Sequence, residues 1–128
     1  MNADQLVSAV RESAQIDTTE HAQQAVQATL TVLGQRLSTE AAHLAAQLPP
    51  QFGECLTQSE QVERFGLDEF YQRVGEQEGR GCSAQEARRH ARAVTAALKA
   101  AVGPEYLHVL DQLPDDYADL MHTENVQH

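Results

Sequence analysis

Tryptophan is absent from this chain of 128 residues, and the other aromatics amount to three Phe and three Tyr. A core without large rings closes by helices approaching through small side chains. Much of the 41% hydrophobic content is indeed alanine. Cysteine occurs only at Cys55 and Cys82, which excludes a secreted disulfide framework and zinc-type spacing. Basic residues are few: 9 Lys+Arg against 19 Asp+Glu leave a net charge of −10. The deficit is even, with three basic and eight acidic residues in 1–65 and six and eleven thereafter. Nucleic acid and anionic membrane surfaces are therefore poor partners, and a basic protein surface is the favoured one. No apolar run approaches the ~18 residues that cross a bilayer. There is no useful strand alternation, low-complexity segment, Gly-rich phosphate loop or nucleophile elbow. The first residues lack a basic-then-apolar signal pattern, so a cytoplasmic location is expected. The length suits one domain, since domains cluster at ~100–150 residues.

What the chain does have is a repeat. Gln47-Leu48-Pro49 returns as Gln112-Leu113-Pro114, a shift of 65 positions (47 to 112), and an aromatic follows three residues after each proline, Phe52 and Tyr117. At that shift Ala22 falls on Ala87, Leu33 on Leu98, Leu37 on Val102, Glu40 on Glu105 and His43 on His108. Upstream the shift is 64: Asp4 meets Asp68, Leu6 meets Phe70 and Val10 meets Val74. The one-residue slip falls around Gly79-Arg80-Gly81, where an insertion leaves flanking helix faces undisturbed. Two similar helical units, about 4–57 and 66–122, are expected to bury their apolar faces against each other, joined by a polar link.

Leu37-Ser38…Glu40…Leu44-Ala45-Ala46-Gln47-Leu48-Pro49-Pro50, Arg64-Phe65-Gly66-Leu67-Asp68-Glu69-Phe70…Arg73-Val74 and Val109…Gln112-Leu113-Pro114…Tyr117 together resemble domain-of-unknown-function family 2267. The resemblance runs from about Asp4 to Met121. It implies a bacterial, cytoplasmic, all-helical domain of two similar halves, and no reaction. Gly66 stands where the resemblance leads one to expect a serine cap.

The predicted helices number about eight. The first spans Ala3 to Ala14, with Leu6, Val7, Val10 and Ala14 at helical spacing. Asp17 is the expected cap of the second, with Glu20 reaching back, and Ala22, Ala25, Val26, Thr29, Leu30 and Leu33 form its face. Ser38 caps a short third helix striped by Leu37, Ala41, Leu44 and Leu48. Pro49 ends it and is well placed to begin the fourth, which carries Phe52 and Leu56. The tripeptide is thus an elbow, in which Gln47 and Gln112 are candidates to bond free backbone groups. Phe65 and Phe70 bracket a cap at Gly66 as a hydrophobic staple on the fifth helix, which Leu67, Phe70 and Val74 stripe and which frays from Gly75. Ser83-Ala84-Gln85-Glu86 is a capping box for a sixth helix faced by Ala87, Ala91, Val94, Ala97, Leu98 and Ala101. Gly103-Pro104 opens a seventh, lined by Val102, Tyr106, Val109 and Leu113 and ended by Pro114. Tyr117, Leu120 and Met121 line the eighth.

Chemistry is thinly marked. Glu40-x-x-His43 and Glu105-x-x-His108 have the spacing of half a di-iron carboxylate site. Phase opposes that reading. With Leu37 as origin, Ala41, Leu44 and Leu48 fall at about 40°, 340° and 20°, whereas Glu40 and His43 fall at about 300° and 240°. No metal or cofactor is therefore expected. His90, at the margin of the sixth helix's apolar face, suits a hydrogen-bonded, partly buried histidine better than a haem ligand. Arg88, Arg89 and Arg92 form a row that a phosphate or acidic peptide would fit; offsetting Asp115, Asp116 and Asp119 is the simpler role. Cys82 precedes a helix, a place that can favour thiolate, without a partner at a telling spacing. Cys55 suits a small half-buried hydrophobe.

The expectation is an all-α single domain of about eight short helices in two pseudo-symmetric repeats, a count also compatible with globin-like topology. The expected function is a non-enzymatic interaction or scaffold module with an acidic surface, its protein partner unknown and a homodimer compatible with it. The alternative is a metal- or cofactor-binding protein using the paired Glu-x-x-His motifs.

Overall fold

Apolar residues at helical spacing and well-formed caps give a chain of helices. The computed structural model describes residues 3–37, 40–57, 63–79, 82–102, 113 and 115–121, with the side chains of 40, 41, 43, 115, 118 and 121 outside the description. Within these, α1 spans Ala3–Ala14, α2 Thr19–Arg36, α3 Glu40–Ala46, α4 Pro50–Thr57, α5 Leu67–Glu78 and α6 Ala84–Val102. A 3₁₀ turn at Asp115–Tyr117 leads into the short α7, Ala118–Met121. Among the described residues there is no strand, and one core holds the helices as a single all-α domain.

The two long helices α2 and α6 form the centre. Each touches the other, and α1 and α5 both lie against each of them. The hairpin of α3 and α4 covers α2 through α4, and α7 covers α6. The alanine-rich face of α6 (Ala87, Ala91, Ala93 and Ala97, all buried) lets its neighbours come close, which offsets the lack of large rings. Where α4 crosses α2, Gly34 faces the Leu56 backbone, and a Cβ there would fall 2.9 Å from Leu56 Cα. Helix α1 ends in a Schellman motif: Gln15 turns left-handed at φ 57, and Ile16 N–H donates to Arg11 O at 2.9 Å.

Several local expectations are corrected. Thr18, not Asp17, caps α2. Its backbone is extended, and its hydroxyl accepts the His21 N–H at 3.0 Å. Leu37, expected on the stripe of the third helix, is the C-cap of α2, and its N–H donates to Leu33 O. Pro50 takes the first helical position of α4, because the Pro49 carbonyl already accepts Phe52 and Gly53 N–H at 2.9 Å each. Gly75 lies inside α5, which runs on to Glu78, and Val102 closes α6. The Ser83–Glu86 capping box forms as expected, with bonds of 3.1 and 3.3 Å.

The elbows differ. Leu48 is buried and Leu113 is partly buried against the core. Gln47 is exposed. Gln112, Pro114 and the predicted helix from Gly103 lie outside the described residues, as does Ser38.

Gly66 has no side chain with which to cap α5, and Asp116 does so instead. Its Oδ2 accepts the Leu67 N–H at 3.0 Å. Tyr117 stands beside it and donates its hydroxyl to Phe65 O at 2.8 Å. Thr95 Oγ1 donates to Leu120 O at 2.8 Å. The last described segment is thereby tied to α5 and α6.

Candidate functional site: a buried Glu–His–His cluster

Helices α2, α5 and α6 bring one end together, and the side chains gathered there are polar. His21 belongs to the first turn of α2, held by the Thr18 cap. Glu78 is the last residue of α5. Gly79 then turns the chain at φ 71, a left-handed conformation that glycine adopts freely. Cys82 N–H donates to Gly79 O, the capping box starts α6, and His90 follows in its second turn.

The three side chains meet on the carboxylate. His21 Nε2 lies 3.1 Å from Glu78 Oε1, and His90 Nδ1 lies 3.0 Å from Oε1 and 2.9 Å from Oε2. The two imidazoles contact each other edge to face with centroids 5.4 Å apart. The Glu78 and His90 side chains are 0% and 2% exposed, while that of His21, at 23%, reaches solvent. A carboxylate removed from water needs such donors, because desolvating an unpaired charge is costly. Its place at the end of α5 adds to the need, since a helix C-terminus repels negative charge.

Cys82 joins the cluster at its edge, with Sγ 3.8 Å from Glu78 Oε2 and 3.6 Å from Ser83 O. Burial, then the charges of Glu78 and Glu86, push this thiol up to about 12. The helix N-terminus therefore does not yield a thiolate. Cys82 also lines a cleft of about 350 Å³ with Tyr71, Gln72, Gly75, Glu76 and Gly79. The cleft thus stops one side chain short of the carboxylate. Cys55 is buried, and burial raises its thiol as well.

His90 is hydrogen-bonded as expected, and more deeply buried than its marginal phase suggested. Arg88 takes the simpler of its two roles and pairs with Asp119 through bonds of 2.8 and 2.6 Å. Arg89 is exposed, and Arg92 is half-buried. Glu40 and His43 fall in α3 with their side chains outside the described residues, as Glu105 and His108 are entirely.

Sequence reasoning missed His21 and Glu78. A signal for Glu78 existed, because Phe70, Val74 and Glu78 follow at helical spacing. A charged residue in phase with an apolar stripe marks a buried one. His21 carries no comparable mark.

The family model described as "Uncharacterized conserved protein (DUF2267)" matches residues 3–120, and the chain belongs to that family. No curated protein matches it.

Proposed function

We propose that this member of an uncharacterised family is a non-enzymatic helical module whose acidic surface receives a basic segment of a protein partner. The observation that carries this reading is the outer face of α5. Asp68, Gln72 and Glu76 stand exposed one turn apart, with Glu69 beside them, and Gln72 and Glu76 also border the cleft. Three basic side chains nearby bond within the chain, while Arg64 and Arg89 are exposed. Arg73 bonds Glu63, Glu69 and Gln35, Arg88 bonds Asp119, and Arg36 donates to Phe65 O. The surplus negative charge is left facing outward, where it steers a cationic partner and repels a second copy. An unlike partner is thus favoured over a homodimer.

Duplication fits the same reading. The packing of α1 and of α5 against both α2 and α6 is the pattern expected of two swapped, similar units. A cytoplasmic setting agrees with the absence, among the described residues, of any helix long and apolar enough to cross a membrane.

A fluorescent arginine-rich dodecapeptide is the test probe, measured by anisotropy at 0.1 M salt. Asp68→Lys/Glu76→Lys should weaken binding at least tenfold. Asp4→Lys/Glu12→Lys, with the same change in net charge on α1, should change it less than threefold. Equal losses for both pairs would mean bulk attraction alone and would overturn the α5 site.

A further inference from the structure

We propose that His21, Glu78 and His90 form a binding site for one borderline-soft divalent transition metal ion, with Zn²⁺ as its representative. Geometry comes first. Around a tetrahedral ion with bonds of ~2.0–2.2 Å, neighbouring ligand atoms lie ~3.3–3.6 Å apart. The separations His21 Nε2–Glu78 Oε1 and His90 Nδ1–Glu78 Oε2 are 3.1 and 2.9 Å. The candidate ligand atoms of all three residues lie within 4.8 Å of one another. Only small side-chain shifts separate this hydrogen-bonded arrangement from a coordinated one.

Chemistry selects the class of ion. Two imidazoles and one carboxylate suit zinc, iron(II) and their neighbours, whereas magnesium and calcium prefer all-oxygen sets. Coordination uses the lone pairs of His21 Nε2 and His90 Nδ1, so the proton on each moves to the other ring nitrogen or leaves to solvent. The ion takes the place of the N–H donors that face Glu78 in the metal-free chain. The partly exposed His21 ring gives a way in from solvent. On the other side, Cys82 Sγ, 3.8 Å from Glu78 Oε2, stands between the carboxylate and the cleft.

The repeat supplies an independent reason to regard the cluster as more than a packing device. At the shifts of 64 and 65, Glu78 aligns with Ala14 and His90 with Ala25, and all four positions are buried. The first unit fills these places with two alanines. A fold that closes there on methyl groups does not require a carboxylate and an imidazole, and burying such a pair adds little stability over apolar side chains. The polar pair, completed by a third donor from α2, is what a ligand would require.

The experiment uses the full chain, stripped with chelator and dialysed. Zn²⁺ is followed by isothermal titration and Co²⁺ by its visible d–d absorption. One ion per chain with micromolar or tighter affinity is expected. His21→Ala, at the exposed edge, should weaken binding at least tenfold while leaving helical circular dichroism unchanged. Glu78→Gln, which keeps shape and hydrogen bonding, should do the same. Circular dichroism of each variant distinguishes lost ligation from lost folding, so a misfolded Glu78→Gln protein leaves His21→Ala as the deciding variant. Absence of saturable binding would overturn the proposal. So would binding that His21→Ala leaves within threefold, because the ion would then sit on other histidines.

Discussion

Gly34 and Leu56 meet backbone to backbone. A Cβ at position 34 would lie 2.8 Å from the Leu56 carbonyl carbon and closer still to its oxygen. The obstruction is main chain, which cannot rotate aside as a flexible side chain would. Gly34→Ala should therefore force α2 and α4 apart. Its expected cost is about 3 kcal/mol, at the upper end for overpacking, despite the better helix propensity of alanine. Urea denaturation measures it, and a loss under ~0.5 kcal/mol would contradict the close approach.

The two elbow leucines should behave unequally. Leu48 is 8% exposed in the core, so Leu48→Ala should cost ~2–4 kcal/mol. Leu113 is only partly buried, and Leu113→Ala should cost about half as much. Equal losses would mean that the second elbow is packed as tightly as the first. Both midpoints come from the same denaturation series.

Asp116 acts as a cap supplied from a distant part of the chain. Asp116→Ala should lower stability by ~1 kcal/mol, the usual loss on removing a capping oxygen. Gly66→Ser offers a local replacement. In the native background its Cβ would press on Asp116 Oδ2 at 3.2 Å, so little gain is expected. In the Asp116→Ala background the serine should restore most of the loss. A double-mutant cycle from chemical denaturation checks the coupling, and additive effects would refute it.

The Tyr71–Asp119–Arg88 group should impose a pH dependence. Hydrogen bonds from Arg88, and then from Tyr71, hold the Asp119 carboxyl down to about 2. A depressed carboxyl stabilises the fold above its unfolded value of ~3.9, and that contribution fades as pH falls toward about 2. The Arg88 and Asp119 side chains are 47% and 36% exposed. Solvent screening therefore limits the pair to ~0.5–1 kcal/mol. Thermal melts should show Asp119→Asn below the parent at pH 7, with the gap closing between pH 4 and 2. A gap independent of pH would point to packing instead of charge.

Much of the fold is legible in local pattern. The stripe on α1, the alanine face of α6, the capping box at Ser83 and the burial of Phe65 and Phe70 around Gly66 each involve residues within a few positions of one another. Their periods and spacings register them directly. Thr18 was misjudged because Asp17, its neighbour, is also a good cap, and backbone geometry chooses between them. The Pro49-Pro50 pair posed the same problem. The candidate site was half visible. Glu78 kept the phase of its helix, and His90 sat at a core margin, but their partner His21 is 57 residues from Glu78. A contact across such a distance leaves no periodic trace in either helix. Asp116 was hidden for the same reason, being 49 residues from the Leu67 N–H that it caps.

The ties from Asp116, Tyr117 and Leu120 back to Leu67, Phe65 and Thr95 also set an order of events during synthesis. Helices α1 to α4 can collapse as soon as they are made. The start of α5 must wait about fifty further residues for its cap, until Asp116 has been translated. Pairings of such long loop length are late and slow to form. A nascent chain halted before residue 115 would leave the Leu67 N–H without its cap and Thr95 Oγ1 without the Leu120 carbonyl. Arrival of the Asp116–Leu120 stretch, rather than growth of any one helix, supplies the last of these ties.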